Sequence, residues 1–281
     1  MSAGASVGGT PDPGDAAQVK QCCARLYESE LVTRLLGDSF HPGGAALTRR
    51  LGEMLCLTSG SCVLDAASGK GTSAMLIAQQ FGCSVVGVDL SAQNVERAAA
   101  EVDRLGLAHR VRFEVGDAER LPLDEGSIDA VICECAFCTF PDKPAAAREF
   151  ARVLKPGGRV GLSDITRAPG PPGELADLMA WIACLADARP ADSYGAWLTA
   201  AGFTNVVVER DDALAEMIRG IGTRLFATEV LAGLEKIDLA GIDLAAAKRV
   251  TRQALTAVAA HRLGYAIVCA SKPLLSEPEE S

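Results

Sequence analysis

The chain alternates short apolar runs with longer segments in which apolar residues recur at helical spacing. Short runs rich in Val, Ile and Cys predict buried strands, and strands that alternate with helices predict a parallel sheet covered on both faces. We therefore expect an α/β fold with a doubly wound, mostly parallel sheet of seven strands. One helix should end on Lys155–Pro156, with a turn at Gly157–Gly158 before the fifth strand. The predicted strands are Cys62–Asp65, Ser84–Asp89, Val111–Val115, Ile128–Cys133, Arg159–Ser163, Val206–Glu209 and Tyr265–Ala270.

The segments outside this alternation differ in composition. Residues 1–17 are rich in Gly, Pro and Ser, which is typical of a disordered terminus, and the polar tail 274–281 is expected to be disordered too. Helical spacing over residues 18–58, broken by a Gly- and Pro-rich turn, predicts two N-terminal helices that act as a lid. The main domain occupies residues 59–273. Its stretch 212–263 is too long for a simple connection, so we expect a helical insertion that caps the site or forms a homodimer surface.

Charge and cysteine content exclude several classes of protein. The chain has 281 residues and a net charge of −9, whereas a nucleic-acid-binding protein is expected to have a basic face. Without an export signal or an apolar run that could cross a membrane, we expect a soluble, cytoplasmic protein. Ten cysteines in that setting predict reduced thiols rather than a disulfide framework. Four of them lie where a thiol acts as a small apolar filler, namely Cys56, Cys62, Cys83 and Cys269.

A glycine-rich turn joins the first predicted strand to the helix that follows. The segment DAASGKG runs from Asp65 to Gly71, and Asp89 ends the next strand. Backbone N–H groups at a helix start bind charged ligand groups, and a carboxylate at the tip of the second strand binds the hydroxyls of a ribose. The turn lacks the third glycine of the dinucleotide-binding fingerprint. Asp117–Ala118 follows the third strand in the same way, so the pattern predicts a site for a nucleotide-like cofactor.

These motifs, together with the KPGGR turn, resemble the class I S-adenosylmethionine-dependent methyltransferases over roughly residues 60–210. The resemblance implies a Rossmann-like fold with S-adenosylmethionine as the cofactor. It assigns Asp65, Gly69 and Gly71 to the methionine end of the cofactor and Asp89 to the ribose. The further contacts that it implies are Leu90 beside the adenine, Asp117 and Ala118 at the adenine amino group, and the backbone of Cys133 near the sulfonium.

One residue of the cofactor turn departs from the family pattern. Ala67 stands where the family usually has its first glycine. Alanine adds a single methyl group, which is tolerated if φ stays negative at this position. We therefore keep Ala67 among the expected cofactor-binding residues.

Three thiols cluster where the fourth predicted strand ends, at Cys133, Cys135 and Cys138. Ligands of doubly wound sheets bind at the carboxyl ends of the strands, so the methyl acceptor is expected at this loop. A C-x-x-C pair can hold a soft element, can form a zinc half-site or a redox pair, or can be chemically inert. A structural zinc site usually needs a second pair at matching spacing, which the chain lacks, and no resident metal is expected.

The loop CAFCTFPDK and the later segment WIACLADA resemble the arsenite methyltransferases. In that family one cysteine on the loop after the fourth strand and one on the helix after the fifth bind trivalent arsenic, and these positions match Cys135 and Cys184. Thiolates are soft ligands, and arsenic attacks with a lone pair, so that no general base is required. The family's further cysteines are replaced here, one of them by Ala74. Cys138, or one of the adjacent Cys22 and Cys23, is the candidate third ligand.

Two other functions remain open from the sequence. A small-molecule O-, N- or C-methyltransferase commonly needs a general base, for which His41 and Asp164 are the candidates. A methyltransferase-like fold that only binds a ligand is the third alternative. In each case the expected partner is a small molecule or a metalloid, and neither a nucleic acid nor a membrane is expected.

Overall fold

The computed structural model of the chain describes residues 41–170, 187–233 and 244–274. Seven strands of this part form one sheet in the order β3-β2-β1-β4-β5-β7-β6. Neighbouring strands are parallel, except that β7 runs antiparallel to both β5 and β6. The predicted doubly wound, mostly parallel sheet is therefore confirmed. The strands are β1 Cys62–Ala66, β2 Ser84–Asp89, β3 Val111–Val115, β4 Ile128–Glu134, β5 Leu154–Arg167, β6 Thr204–Asp211 and β7 Leu263–Ser271.

The fifth strand is the one that differs most from its predicted bounds. The preceding helix ends at Val153 rather than on Lys155–Pro156, and Leu154 is already extended with ψ 138°. The physical reason is that a residue before proline is disfavoured in the helical region, so that Lys155 cannot continue the helix. The turn predicted at Gly157–Gly158 is part of a bulge within the strand, between Leu154 and Arg159, in which Gly157 has φ +78°.

Helices flank the sheet on the way from strand to strand. A short 3₁₀ turn, Phe137–Thr139, follows β4. The helices are α1 Gly44–Met54, α2 Thr72–Phe81, α3 Ala92–Arg104, α4 Lys143–Val153, α5 Ala191–Ala200, α6 Ala213–Gly233 and α7 Leu244–Ala259. Helices α6 and α7 pack on each other and on β7, and together they form the predicted insertion before the last strand. None of the described helices is long and apolar enough to span a bilayer.

The second of the two predicted N-terminal helices is α1, and the first lies outside the described residues. Helix α1 packs against α2 and β5. Leu51 is fully buried there, and a Cβ added to Gly161 of β5 would lie 2.7 Å from its Cδ1. The close approach of helix and sheet therefore depends on Gly161. A lid role for residues 18–58 stays a prediction.

The order of the strands determines where a ligand can bind. The chain proceeds outward from β1 to β2 and β3, and then returns to the other side of β1 with β4 and β5. The loops after β1 and β4 therefore leave in opposite directions, which opens a crevice at the carboxyl ends of these strands. The motifs found in the sequence lie around this crevice.

Candidate functional site

A cleft lies at the carboxyl ends of β1 to β4. Its walls come from the turn after β1, from the ends of β2 and β3, and from the loop after β4. Of the residues predicted to bind the cofactor, the cleft is lined by Asp65, Ala67, Gly69, Asp89, Leu90, Asp117 and Ala118. Residues far apart in the sequence therefore meet as the motif spacing predicted.

Two glycines shape the turn that leads from β1 into α2. Gly69 has φ +53°, and the space next to its Cα is open, so that a ligand can approach the backbone there. Gly71, the residue before α2, has φ +75°, and a Cβ at this position would lie 2.3 Å from Cζ of Phe113. Gly71 does not itself line the cleft. It supports the site indirectly, since the absence of a side chain lets Phe113 pack against the turn.

Ala67 adopts a conformation that the sequence did not predict. Its φ is +58°, so the expectation of a negative φ is wrong. The chain reverses immediately after β1, and the next residue, Ser68, donates its N–H to the carbonyl of Val88 at 3.1 Å. The left-handed region costs a residue with a Cβ about 1–2 kcal/mol, so Ala67 carries strain that the family's glycine avoids.

Asp89 joins the two halves of the cofactor end through hydrogen bonds to the backbone. Its Oδ2 accepts the N–H of Gly69 at 2.8 Å, and its Oδ1 accepts the N–H of Ser91 at 2.9 Å. The amide of Asn94 lies 3.4 Å from Oδ1. The carboxylate therefore holds the glycine turn against the start of α3, besides facing the cleft.

Several buried polar atoms around the cleft lack a hydrogen-bond partner. Among the described residues there are four such side-chain atoms, and three of them, Asp65 Oδ2, Ser68 Oγ and Asn94 Oδ1, belong to residues that line this cleft. Buried polar groups normally have partners, so these atoms indicate a polar ligand. Burial raises the pKa of Asp65 well above its usual value, and the neighbouring carboxylates of Glu134 and Asp89 raise it further. A cationic ligand group would offset both effects.

The far end of the cleft suits a flat apolar group. Leu90, which lines the cleft, is 41% exposed, and Ala118 forms a buried wall. Asp117 accepts the N–H of Glu119 through Oδ1 at 2.9 Å, which fixes the carboxylate at the rim.

Comparison with known proteins agrees with this geometry. Residues 63–158 match the model of a methyltransferase domain. Phosphoethanolamine N-methyltransferase 1 of Arabidopsis thaliana is 33% identical over 208 residues, or 73% of this chain. The arsenite methyltransferase of Halobacterium salinarum is 34% identical over 207 residues, or 70% of this chain. The chain belongs to the class I S-adenosylmethionine-dependent methyltransferases.

The relatives are longer than the matched part. The chain spans 40% of the Arabidopsis protein and 53% of the Halobacterium protein. The fold is also that of phosphoethanolamine N-methyltransferase 2 of Haemonchus contortus in complex with S-adenosyl-L-methionine, with a TM-score of 0.77, 20% identity, and coverage of 91% of this chain and 60% of that one. At that identity the likeness supports the fold alone.

The residues of the methyltransferase cleft fit S-adenosylmethionine. Asp65, with its unpartnered Oδ2, would hold the α-ammonium group, and the open backbone at Gly69 would lie along the methionine. Asp89 would accept from the ribose, and Leu90 with Asp117 would hold the adenine. When bound, the cofactor supplies an electrophilic methyl group on a sulfonium ion. The excess of carboxylates in this cleft matches that positive charge.

The fold separates the cysteines that were predicted at the site, and only some of them line the cleft. Cys135 lines the cleft, with φ +52° and its N–H donated to the carbonyl of Ser163 at 2.7 Å. Cys138 is fully buried in the 3₁₀ turn and does not line the cleft. The side chain of Cys133 lies in the core of the sheet, where burial raises the pKa of its thiol. Cys184 lies outside the described residues, as do Cys22 and Cys23.

The two candidate bases also differ in position. His41 lines the cleft, with Nδ1 3.2 Å from the carbonyl of Pro42. Asp164 is buried away from the cleft and accepts the N–H of Cys138 at 2.8 Å, so that it holds the loop after β4. The structure thus gives Asp164 a positioning role and leaves His41 as the candidate base in the cleft.

Sequence reasoning missed Glu134, which ends β4 and lines the cleft. Ser73 and Thr48 donate their hydroxyls to its Oε2 at 2.6 and 3.0 Å. The only signal in the sequence was an acid at the end of a buried strand, the same signal that identified Asp89.

Proposed function

We propose that the protein transfers a methyl group from S-adenosylmethionine to a small acceptor that binds against Cys135. The observation that supports this most is the position of Cys135, which follows β4 directly and lines the same cleft as the expected cofactor residues Asp65 and Gly69. An acceptor there would lie beside the methionine end of the cofactor. Proximity of this kind, rather than covalent chemistry by the protein, accounts for much of the rate of a bimolecular transfer.

The acceptor that we favour is trivalent arsenic or a related soft element. Thiolates of Cys135 and Cys184 would replace oxygen ligands on the metalloid and direct its lone pair toward the methyl group. The resemblance of both cysteine segments to arsenite methyltransferases supports this proposal, as does the similarity to the Halobacterium protein. Cys138 is buried behind the loop, so we no longer propose it as the third ligand. A thiol from solution would take that place.

A second candidate is a general-base mechanism for an O- or N-acceptor, and His41 is the observation that favours it. A carbonyl only accepts hydrogen bonds, so the contact with Pro42 favours the neutral tautomer of His41 in which Nδ1 carries the proton. Nε2 then carries the lone pair, 3.4 Å from Oγ1 of Thr48. A neutral imidazole held in this way is suited to accept a proton.

Formation of S-adenosylhomocysteine distinguishes the two candidates. The full-length protein would be assayed with arsenite plus glutathione, and separately with small phenols and amines. We expect Cys135→Ser and Cys184→Ser to lose arsenite turnover nearly completely, His41→Ala to retain it, and the control Cys62→Ser to match the wild type. Turnover of a phenol or amine that falls roughly 100-fold or more in His41→Ala, with Cys135→Ser unaffected, would favour the base mechanism. Cytoplasmic location and homodimerisation remain predictions.

A further inference from the structure

The carboxylate of Glu134 is held at the junction between the cofactor end and the acceptor end of the cleft. Its side chain is 3% exposed, yet the residue lines the cleft next to Cys135. Burial of an ionised carboxylate costs free energy unless the group is hydrogen bonded.

Those partners come from three separate elements of the fold. Oε2 accepts the hydroxyl of Ser73 at the start of α2, and also that of Thr48 on α1. Oε1 accepts the hydroxyl of Ser163 on β5 at 3.4 Å, and Ser163 in turn accepts the hydroxyl of Tyr265 at 3.2 Å. Each of these hydroxyl groups donates toward the carboxylate, directly or through Ser163. The fold therefore holds this carboxylate in one position beside the cleft.

Among the described residues, the only ion-pair partner of Glu134 is one whose charge depends on protonation. Nε2 of His41 lies 3.8 Å from Oε2 of Glu134, and it is charged only when both ring nitrogens carry protons. No Lys or Arg of the described residues forms an ion pair with Glu134. Within the described part of the chain, this carboxylate therefore lines the cleft without an ion pair to a Lys or Arg.

We infer that Glu134 stabilises the positive charge that methyl transfer places on the acceptor. This inference rests on the proposed function. In the transfer, the lone pair of a neutral acceptor forms the bond to the methyl carbon. The carbon–sulfur bond breaks, its electron pair stays on sulfur, and the positive charge moves from sulfur to the acceptor. No proton leaves in this step. A preorganised carboxylate on the acceptor side lowers the free energy of that charge distribution.

The inference specifies a class of acceptor. A neutral atom with a lone pair, such as thiolate-bound arsenic(III) or an uncharged amine, becomes cationic on methylation and is stabilised by Glu134. An anionic oxygen, such as a phenolate, is repelled by the same carboxylate and gains no charge that it could stabilise. The cleft is therefore selective for neutral acceptors.

Cofactor analogues test the inference without any acceptor. Sinefungin carries an amine where the cofactor carries its methyl group, whereas S-adenosylhomocysteine carries no charge there. Calorimetry at neutral pH gives the affinity ratio of the two analogues. We expect the wild type to prefer sinefungin, and Glu134→Gln, which keeps the size and most hydrogen bonds, to lower the ratio roughly tenfold or more. The control Glu125→Gln, on an exposed loop residue, should leave the ratio unchanged.

A third variant covers the case in which Glu134→Gln does not fold. Glu134→Asp keeps the charge and should retain the preference for sinefungin to within about threefold of the wild type. Equal binding of both analogues by the wild type, or an unchanged ratio in Glu134→Gln, would overturn the inference. Turnover of arsenite is measured separately, so that a protein inactive on arsenite refutes the proposed acceptor while the analogue ratio still decides the role of Glu134.

Discussion

Replacement of Asp89 by asparagine should destabilise the protein before any ligand is added. The carboxylate accepts two backbone N–H groups on opposite sides, from Gly69 and from Ser91. Asparagine offers one oxygen and one NH₂ group. One of the two backbone N–H groups, that of Gly69 or that of Ser91, therefore faces another donor and loses its hydrogen-bond acceptor. An unsatisfied buried group costs about 1–3 kcal/mol. For 281 residues, an unfolding entropy of about 2.1 cal/mol/K per residue converts this cost into a fall in Tm of about 2–5 °C.

Thermal unfolding of the apo protein, followed by circular dichroism, measures this change. The exposed carboxylate of Asp103 on α3 provides the matched control, and Asp103→Asn should unfold with the wild type to within about 1 °C. S-adenosylmethionine should then stabilise Asp89→Asn less than it stabilises the wild type, because the ribose contact is also weakened. An apo Tm of Asp89→Asn equal to that of the wild type would refute the structural role of this carboxylate.

Three further substitutions test the cofactor turn. Folding raises the pKa of Asp65 above its ordinary 3.8, so the wild type loses stability as pH rises from that value through the raised pKa. Near neutral pH, apo Asp65→Asn should therefore have a higher Tm than the wild type. A difference in Tm that does not shrink as pH falls toward about 4 would argue against the raised pKa. Ala67→Gly removes about 1–2 kcal/mol of left-handed strain from the folded state and adds about 0.4–1 kcal/mol of conformational entropy to the unfolded chain. Urea unfolding should therefore show a small increase in the free energy of unfolding. A decrease would contradict the strain at Ala67. In Gly71→Ala the new methyl group meets Phe113, and the free energy of unfolding should fall by about 3 kcal/mol or more. Gly106 has a similar φ with open space around it, so Gly106→Ala should lower the free energy of unfolding by only about 1–2 kcal/mol. Equal losses in the two variants would exclude the steric contribution at Gly71.

The central strands β1, β2 and β4 were predictable because they are buried on both faces and therefore appear as continuous apolar runs, whereas the edge strands β3 and β6 are partly exposed. Six of the seven strands agree with their predicted bounds to within two residues. Strand β5 did not, because it runs from Leu154 to Arg167 and extends beyond its predicted bounds at both ends. At its start, the bulge at Lys155–Gly158 interrupts the apolar pattern while the backbone still pairs with β4. Apolar periodicity locates side chains in the core, and it carries little information about a backbone that continues through an irregular segment.

That most of the expected cofactor residues line one cleft was predictable for a different reason. Its residues are close in sequence to strand ends, and the carboxyl ends of parallel strands meet at one edge of the sheet. Glu134 was missed because its partners Thr48 and Ser73 are 86 and 61 residues away, and no local motif connects them. Nor does spacing alone tell which of Cys135 and Cys138 faces the cleft, since the answer depends on the 3₁₀ turn that buries the second thiol.

Binding of S-adenosylmethionine is the most direct test of the central claim that this cleft is a methyltransferase cofactor site. Calorimetric titration of the wild type should give saturable binding with one cofactor per chain. Asp65→Ala removes the unpartnered carboxylate oxygen and should weaken that binding by roughly tenfold or more, since a charge-assisted hydrogen bond contributes about 1.5–3 kcal/mol. The absence of saturable binding by the wild type, or an unchanged affinity in Asp65→Ala, would contradict the account.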